Sequence, residues 1–150
     1  MGGNKAGPHL DAAGTQFEYP VDISTGVNAA GSNHRDLPVY GLADDVAWLI
    51  FDQIFNSPRA VADYIELARL FHTVVISDIP YLTTDNEDKT RRFIQLMDEF
   101  YDRNVIVIIS AVDTADQLYQ GKSLSFEFER TVSRIEEMKS LHYLQKPHKA

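Results

Sequence analysis

The chain has 150 residues, a formal net charge of −8 and no cysteine. Its length suffices for one domain with a core of its own. The acidic balance excludes a nucleic-acid footprint, which needs clustered Lys and Arg; the missing cysteine excludes disulfides and thiolate metal sites and suits a reducing compartment.

Met1 to about Ser32 differs from the rest, with six of the eight glycines and with Asn, Ala and Ser between them. This composition reads as a flexible, disordered or linker-like amino-terminal arm, residues 1–32, ahead of a single α/β domain at 33–150. Within the arm only Phe17 to Ile23 has a strand pattern, and Pro20 confines it to an edge. Gly, Asn, Pro and Asp interrupt the first apolar stretch, so it does not read as a signal peptide, and no run has the length to span a bilayer. Two short β-like runs follow, Leu37 to Gly41 and Val46 to Ile54. In the second, Trp48 and Ile50 would point one way, Leu49 and Phe51 the other. Trp48 reads as a core residue before it reads as a ligand-stacking one. Ser57-Pro58 then starts a helix, a capping serine followed by proline at the first helical position. It runs to about Phe71, with Val61, Ile65, Ala68 and Phe71 or Leu67 on one side.

Phe71 to Ala111 organises the domain as strand, helix, strand. FHTVVISDIP is an apolar run ending in Asp78, and NVIVIISA is fully apolar and ends at Ser110. Such strands need cover on both faces, the mark of a parallel sheet. Between them Phe93, Leu96, Met97, Phe100 and Tyr101 share one helical face. Thr84-Asp85-Asn86-Glu87 reads as the capping box of this helix. The carboxyl edge of an open α/β sheet is where ligands bind, which makes neighbours of Asp78 and Ser110. Farther on, Asp113 to Gln120 reads as a short helix capped by Asp113 or Thr114 and stopped near Gly121. Ser125 to about Leu144 reads as one long helix with Phe128, Val132, Ile135, Met138 and His142 or Leu141 as its apolar stripe, ended by Pro147.

The order of chemical residues is a strand ending in Asp78, a helix, a strand ending in Ser110, then Arg130-Thr-Val-Ser-Arg134 on a helix. It has the layout of the back half of a P-loop NTPase, in which an acid holds Mg²⁺, a polar residue senses the γ-phosphate and arginines stabilise the transferred phosphoryl group. Two parts are missing: Ile79 stands where a second acid would orient water, and no G-x-x-x-x-G-K-[ST] occurs. Taken alone, Asp78 reads as a cap or turn residue before it reads as a metal ligand. His72 reads as a packed strand-end histidine. The five histidines show no H-x-x-x-H pair, so no metal site is expected.

Three blocks of this chain, ADYIELARLFHTVVISDIP, RRFIQLMDEFYDRNVIVIISA and LYQGKSLSFEFERTVSRIEEMKSLHYL, resemble the carboxyl-terminal part of the ZapE-type, AFG-like AAA ATPase family. Asn33-His34-Arg35 resembles the entry into that region. The resemblance covers roughly Ser32 to His148. It implies an α/β, parallel-containing sheet with flanking helices and an ATPase, with ATP and Mg²⁺ as cofactors. It also implies a role in bacterial cell division at the FtsZ ring, and so a cytoplasmic protein at the division site or the inner face of the membrane. The family's P-loop lies upstream of the matched region, so this chain is expected to lack catalysis on its own. Its partners would be an ATPase half or a neighbouring subunit, and FtsZ or other division proteins; the runner-up reading is a non-catalytic module that docks such partners or membrane-associated ones. Arg130 and Arg134 are the phosphate-facing candidates, with pairing to Glu127, Glu129 or Glu137 as the alternative. Asp78 and Ser110 are the cofactor-facing ones. Arg91 and Arg92 read as a solvated helix face, Arg91 toward Asp88 or Glu87 and Arg92 toward Glu99 or Asp88.

Overall fold

The computed structural model describes residues 21–22, 36–37, 41–56 and 61–150. The amino-terminal arm outside Val21–Asp22, Asn33-His34-Arg35, residues 38–40 and the Ser57-Pro58 helix start lie outside the described residues. A two-residue strand β1 (Val21–Asp22) pairs antiparallel with β2 (Asp36–Leu37). The main sheet contains β3 (Gly41–Ala43), β4 (Val46–Ile50), β5 (Thr73–Ile79) and β6 (Ile106–Ala111), in that spatial order. β3 is antiparallel to β4; β4, β5 and β6 are parallel. The expected α/β fold with a parallel-containing sheet and flanking helices is therefore present.

Val46 to Ile54 is not one β-like run. β4 stops at Ile50 and helix α1 (Phe51–Phe55) begins at once. The reason lies in three side chains. Phe51, Ile54 and Phe55 are all fully buried, and helical i, i+3, i+4 spacing puts all three on one side, whereas a strand would split them. The Phe51 and Phe55 rings lie 4.8 Å apart, and both meet Phe93 at about 6 Å. Helix α2 (Val61–Leu70) buries Tyr64, Leu67 and Ala68, with Phe71 just beyond it. The buried face is thus rotated away from the expected Val61–Ile65 line, and Val61 is exposed.

Helix α3 (Glu87–Asp102) forms as its spacing predicts, with Phe93, Leu96, Met97 and Phe100 buried and Tyr101 half-buried. Its capping box sits one residue earlier than expected and heads a single 3-10 turn, Thr84–Asn86. Thr83 Oγ1 accepts from the Asp85 amide at 3.2 Å, and Asn86 Oδ1 accepts from the Thr83 amide at 2.6 Å. Asn86 thereby takes the place assigned to Glu87, whose carboxylate goes elsewhere.

Helix α4 (Ala115–Leu118) ends earlier than Gly121. The chain bends into a bridge there: the Leu82 amide donates to Leu118 O at 2.8 Å and the Gln120 amide to Leu82 O at 2.7 Å. The last long helix is two helices, α5 (Ser125–Met138) and α6 (Leu141–Leu144). The stripe of α5 is Phe128, Thr131, Ile135 and Met138, with Val132 half-buried and both Leu141 and His142 exposed. Ser140 breaks the helix, its hydroxyl accepting from the Tyr143 amide at 3.1 Å. The break sends Tyr143 into the core, where its hydroxyl reaches Val105 O at 2.7 Å and Phe100 O at 3.1 Å. Burial raises the Tyr143 pKa, so the phenol stays a donor at any ordinary pH. The tail then folds back, with Asn104 Nδ2 donating to Pro147 O at 2.9 Å and the Lys149 amide to Arg103 O at 2.9 Å.

One face of the parallel strands is packed. Ala47 and Leu49 of β4 align with Val74 and Ile76 of β5, all fully buried. Their β6 neighbours Val107 and Ile109 are only half-buried.

Tyr143→Phe removes the hydroxyl that donates to the Val105 and Phe100 carbonyls. It is expected to destabilise the chain by about 1–2 kcal/mol, read as a lower urea midpoint at unchanged slope.

Candidate functional site

Asp78 occupies the carboxyl end of β5 in a conformation few residues adopt. Its φ is 63°, in the left-handed region. The register explains it. Ile76 pairs with Ile109 and Ile79 with Ala111, so Ser77 and Asp78 on β5 oppose Ser110 alone on β6. This is a β-bulge, a device often found beside functional sites. Ser110 Oγ accepts from the Asp78 amide at 3.0 Å, so the two expected neighbours are neighbours. Ser77 turns inward and takes a bond from Trp48 Nε1 at 2.9 Å. Trp48 is thus half-buried and hydrogen-bonded rather than enclosed in the core. Asp78 itself is exposed, its carboxylate presented at the sheet's edge by the bulge.

Close by, Asp113 Oδ2 accepts from the Tyr81 hydroxyl at 2.7 Å and Asp113 Oδ1 from the Thr114 amide at 2.7 Å. These bonds hold the Asp113 carboxyl below its ordinary range. Among the described residues no cluster of three or more His, Asp or Glu could enclose a metal ion. A Mg²⁺–nucleotide needs only one or two protein carboxylates besides phosphate and water. Asp78 and Ser110 fit outer contacts to such a group but form no phosphate cradle.

Arg130 and Arg134 lie elsewhere. Both turn to Asp98 on α3: Arg130 Nη2 stands 3.5 Å from Oδ2, and Arg134 Nη1 pairs with Oδ1. Asp98 is eleven residues along α3 from Glu87, roughly 16 Å of helix at 1.5 Å per residue. No bond joins this group to Asp78 or Ser110. Arg134 also lies over the Tyr101 ring, 4.8 Å from its centroid, and Tyr101 donates to Glu137 at 2.8 Å. The partner is therefore Asp98, an acid of another helix, and not Glu127, Glu129 or Glu137. Arg92 donates to Phe55 O at 2.9 Å, closing the carboxyl end of α1, instead of pairing with Glu99 or Asp88. Arg91 is exposed, and its charge helps hold the Glu87 carboxyl low. His72 is exposed rather than enclosed; its Nδ1 is 2.9 Å from Thr73 Oγ1 and its ring meets that of His148 edge-on at 6.1 Å.

A third group was not foreseen. The Tyr119 hydroxyl donates to Glu87 Oε2 at 2.6 Å and accepts from the Leu124 amide at 2.9 Å, and Ser123 Oγ donates to Glu87 Oε1. The Tyr119 ring stacks on Phe128 at 5.4 Å. A Cβ at Gly121 would lie 2.6 Å from the Tyr119 hydroxyl and 2.7 Å from Glu87 Oε2, so a larger residue there would displace this pair at the junction of α3, α4 and α5. The signal was the spacing Tyr119-Gln120-Gly121 after an apolar residue, which reads only as a helix stop.

Residues 22–147 match the AFG1-like ATPase family. The chain belongs to that family. It is 43% identical over 118 residues to the cell division protein ZapE of Escherichia coli K12, a stretch that is 79% of this chain and 32% of that protein. It is 30% identical over 141 residues to an uncharacterised protein of Schizosaccharomyces pombe, with 75% of this chain and 31% of that protein covered. The same identity relates it to lactation elevated protein 1 homolog B of Danio rerio, with 73% and 28% covered. The chain thus spans about a third of the length of these curated relatives. No solved structure matches it. Among the described residues no helix is long and apolar enough to cross a membrane.

Two outcomes follow. Asp78→Gly is expected to raise stability by about 1 kcal/mol, since glycine adopts positive φ without the Cβ cost; thermal melting measures it. The Glu87 carboxyl has its folded pKa lowered below 4.5 by the Ser123 and Tyr119 bonds, so its contribution is full above that value and is lost as pH falls through the folded pKa. The stability gap between the native chain and Glu87→Gln is therefore expected to be widest near pH ~7 and to shrink by pH ~3 in urea titrations.

Proposed function

We propose that this chain is the carboxyl-terminal domain of a ZapE-like ATPase of cell division, serving a nucleotide site whose phosphate cradle lies in another part of the protein or in a neighbouring subunit. The observation that carries this reading is the arginine pair on α5. Two guanidinium groups share one carboxylate, and Arg130, half exposed, makes a single long bond to it. A guanidinium has five donors, so Arg130 retains most of them for a phosphate. Asp98 and the Tyr101 ring hold Arg134 in place beside it, a positioning that favours bidentate recognition of an oxyanion. Asp78 and Ser110, at the separate carboxyl edge, are the residues that would offer a carboxylate and a hydroxyl to the water shell of a Mg²⁺. ATP and Mg²⁺ are the cofactors, and the charge developing on the transferred phosphoryl group is what the arginines would stabilise. The partners are the ATPase part and division proteins such as FtsZ, placing the protein in the cytoplasm at the division site.

A second reading, a module that docks division or membrane-associated partners without chemistry, draws on Phe126, which is 76% exposed in the first turn of α5. Loss of partner binding unless the ATPase part is present counts against it.

The chain alone is expected to show no ATP turnover with Mg²⁺; turnover by the 150 residues themselves would overturn the reading that the site is completed elsewhere. A chimera in which this chain replaces the matched stretch of E. coli ZapE tests the arginines. Arg130→Ala with Arg134→Ala is expected to lower its kcat by about 100-fold at an unchanged fold, checked by circular dichroism. An unchanged kcat would remove the arginines from the site.

A further inference from the structure

Strand β6 is composed for the middle of a sheet and stands at its edge. Residues 106–109 are Ile-Val-Ile-Ile, apolar toward both faces, as in a strand flanked and covered on all sides. Among the described residues no strand lies beyond it, and Ile108 is 54% exposed. Natural edges are blunted by charge, proline or a bulge of their own; β6 carries no charge and no proline, and the extra residue of the bulge is on β5.

The backbone says which groups are open. The Ile106 amide donates to His72 O at 2.9 Å and the Val112 amide to Ile79 O at 2.9 Å, so the even-numbered residues face β5. The alternation of a parallel ladder then turns both the N–H and the C=O of Val107 and Ile109 to the outer edge. Beside that edge runs a groove of about 780 Å³ floored by β6 and walled by Met97, Ile135, Met138 and Leu144. Its polar lining is confined to Ser110, Asp113, Thr114 and Lys139. An apolar channel along an open strand is the receptor half of β-strand addition.

We propose that the outer edge of β6 receives a β-strand from the portion of AFG1-like ATPases that this chain does not span. The length of the relatives names the occupant: this chain covers 32% of E. coli ZapE, so most of that protein lies outside the matched stretch. The inference rests on the reading of the chain as one part of such an ATPase and states which strand joins the parts. The added strand takes up the Val107 and Ile109 backbone groups and presses its apolar side chains onto Ile108 and the groove. Through β6 it also connects the added part directly to Ser110 and the Asp78 bulge.

Proline at Val107 tests it. In the 150-residue chain proline there removes an amide that has no partner among the described residues, so Val107→Pro should melt close to Val107→Ala. In the chimera the same proline deletes a ladder bond, and Val107→Pro should melt well below Val107→Ala. Hydrogen exchange at the Val107 and Ile109 amides should be about 100-fold slower in the chimera than in the isolated chain. Equal proline effects and equal exchange in the two proteins would overturn the proposal. Exchange that slows instead with rising concentration of the 150-residue chain would assign the edge to a second copy and overturn it equally. Proline and alanine at the aligned position of intact E. coli ZapE give the same comparison should the chimera not fold. Arginine-dependent kcat with an unprotected β6 edge would sink this proposal and spare the functional reading; a protected edge with arginine-independent kcat would do the reverse.

Discussion

The packing of three phenylalanines under one face of the sheet is the constraint on which the other elements depend. Phe51, Phe55 and Phe93 come from α1 and α3 and meet at ring distances of 4.8–6.1 Å beneath the buried side chains of β4 and β5. Each buries enough apolar surface to be worth roughly 2–3 kcal/mol. Because Phe51 follows directly on β4, the chain turns into a helix there without a connecting loop. That sharp turn brings the Phe55 carbonyl to Arg92, and the same cluster sets how α3 lies on the sheet. The positions of Asp98, Tyr101 and Glu87 along α3 follow from it.

The helix therefore carries two polar groups at different heights. Near its start, Glu87 gathers Tyr119 and Ser123; lower down, Asp98 gathers Arg130 and Arg134. Both groups tie α3 to the segment from α4 through α5. The first is closely satisfied, each Glu87 oxygen accepting a hydroxyl. The second has more donors than its one carboxylate can use, and it is on this imbalance that the oxyanion-facing role proposed for Arg130 and Arg134 rests. The β5 bulge is a further departure from regular structure. It holds an aspartate, exposed at the end of β5, at φ 63°, a conformation costing about 1–2 kcal/mol.

The sheet's two sides are unequal. Its helix-covered face is dry at β4 and β5 and loosens toward β6, where Val107 and Ile109 are only half-buried. The opposite face, with Trp48, Val75 and Ile108, is half-buried to exposed. Among the described residues this parallel sheet, whose composition asks for cover on every side, lacks it at one edge, the edge to which the proposed strand is assigned. The relatives, about three times as long, are consistent with that arrangement.

Much was legible from residue order alone. Two-sided apolar runs at Thr73–Ile79 and Ile106–Ala111 and the 3.6-residue spacing of α3 determined a parallel strand–helix–strand unit, because those periods can bury their apolar atoms in no other way. Asp78 and Ser110 were likewise placed side by side by being strand ends. The family was legible in the Arg-rich blocks. Tertiary structure alone decided the rest. Phe51–Phe55 became a helix because three aromatic and aliphatic side chains found a common pocket, not because the local pattern forbade a strand. Ser140 broke the last helix because Tyr143 had carbonyl partners 38 and 43 residues away. Arg130 and Arg134 chose Asp98 over the acids of their own helix because α3 packs against α5. Local periodicity reports which face of a segment is apolar; the partner on the other side is set by long-range packing, which no window of adjacent residues contains.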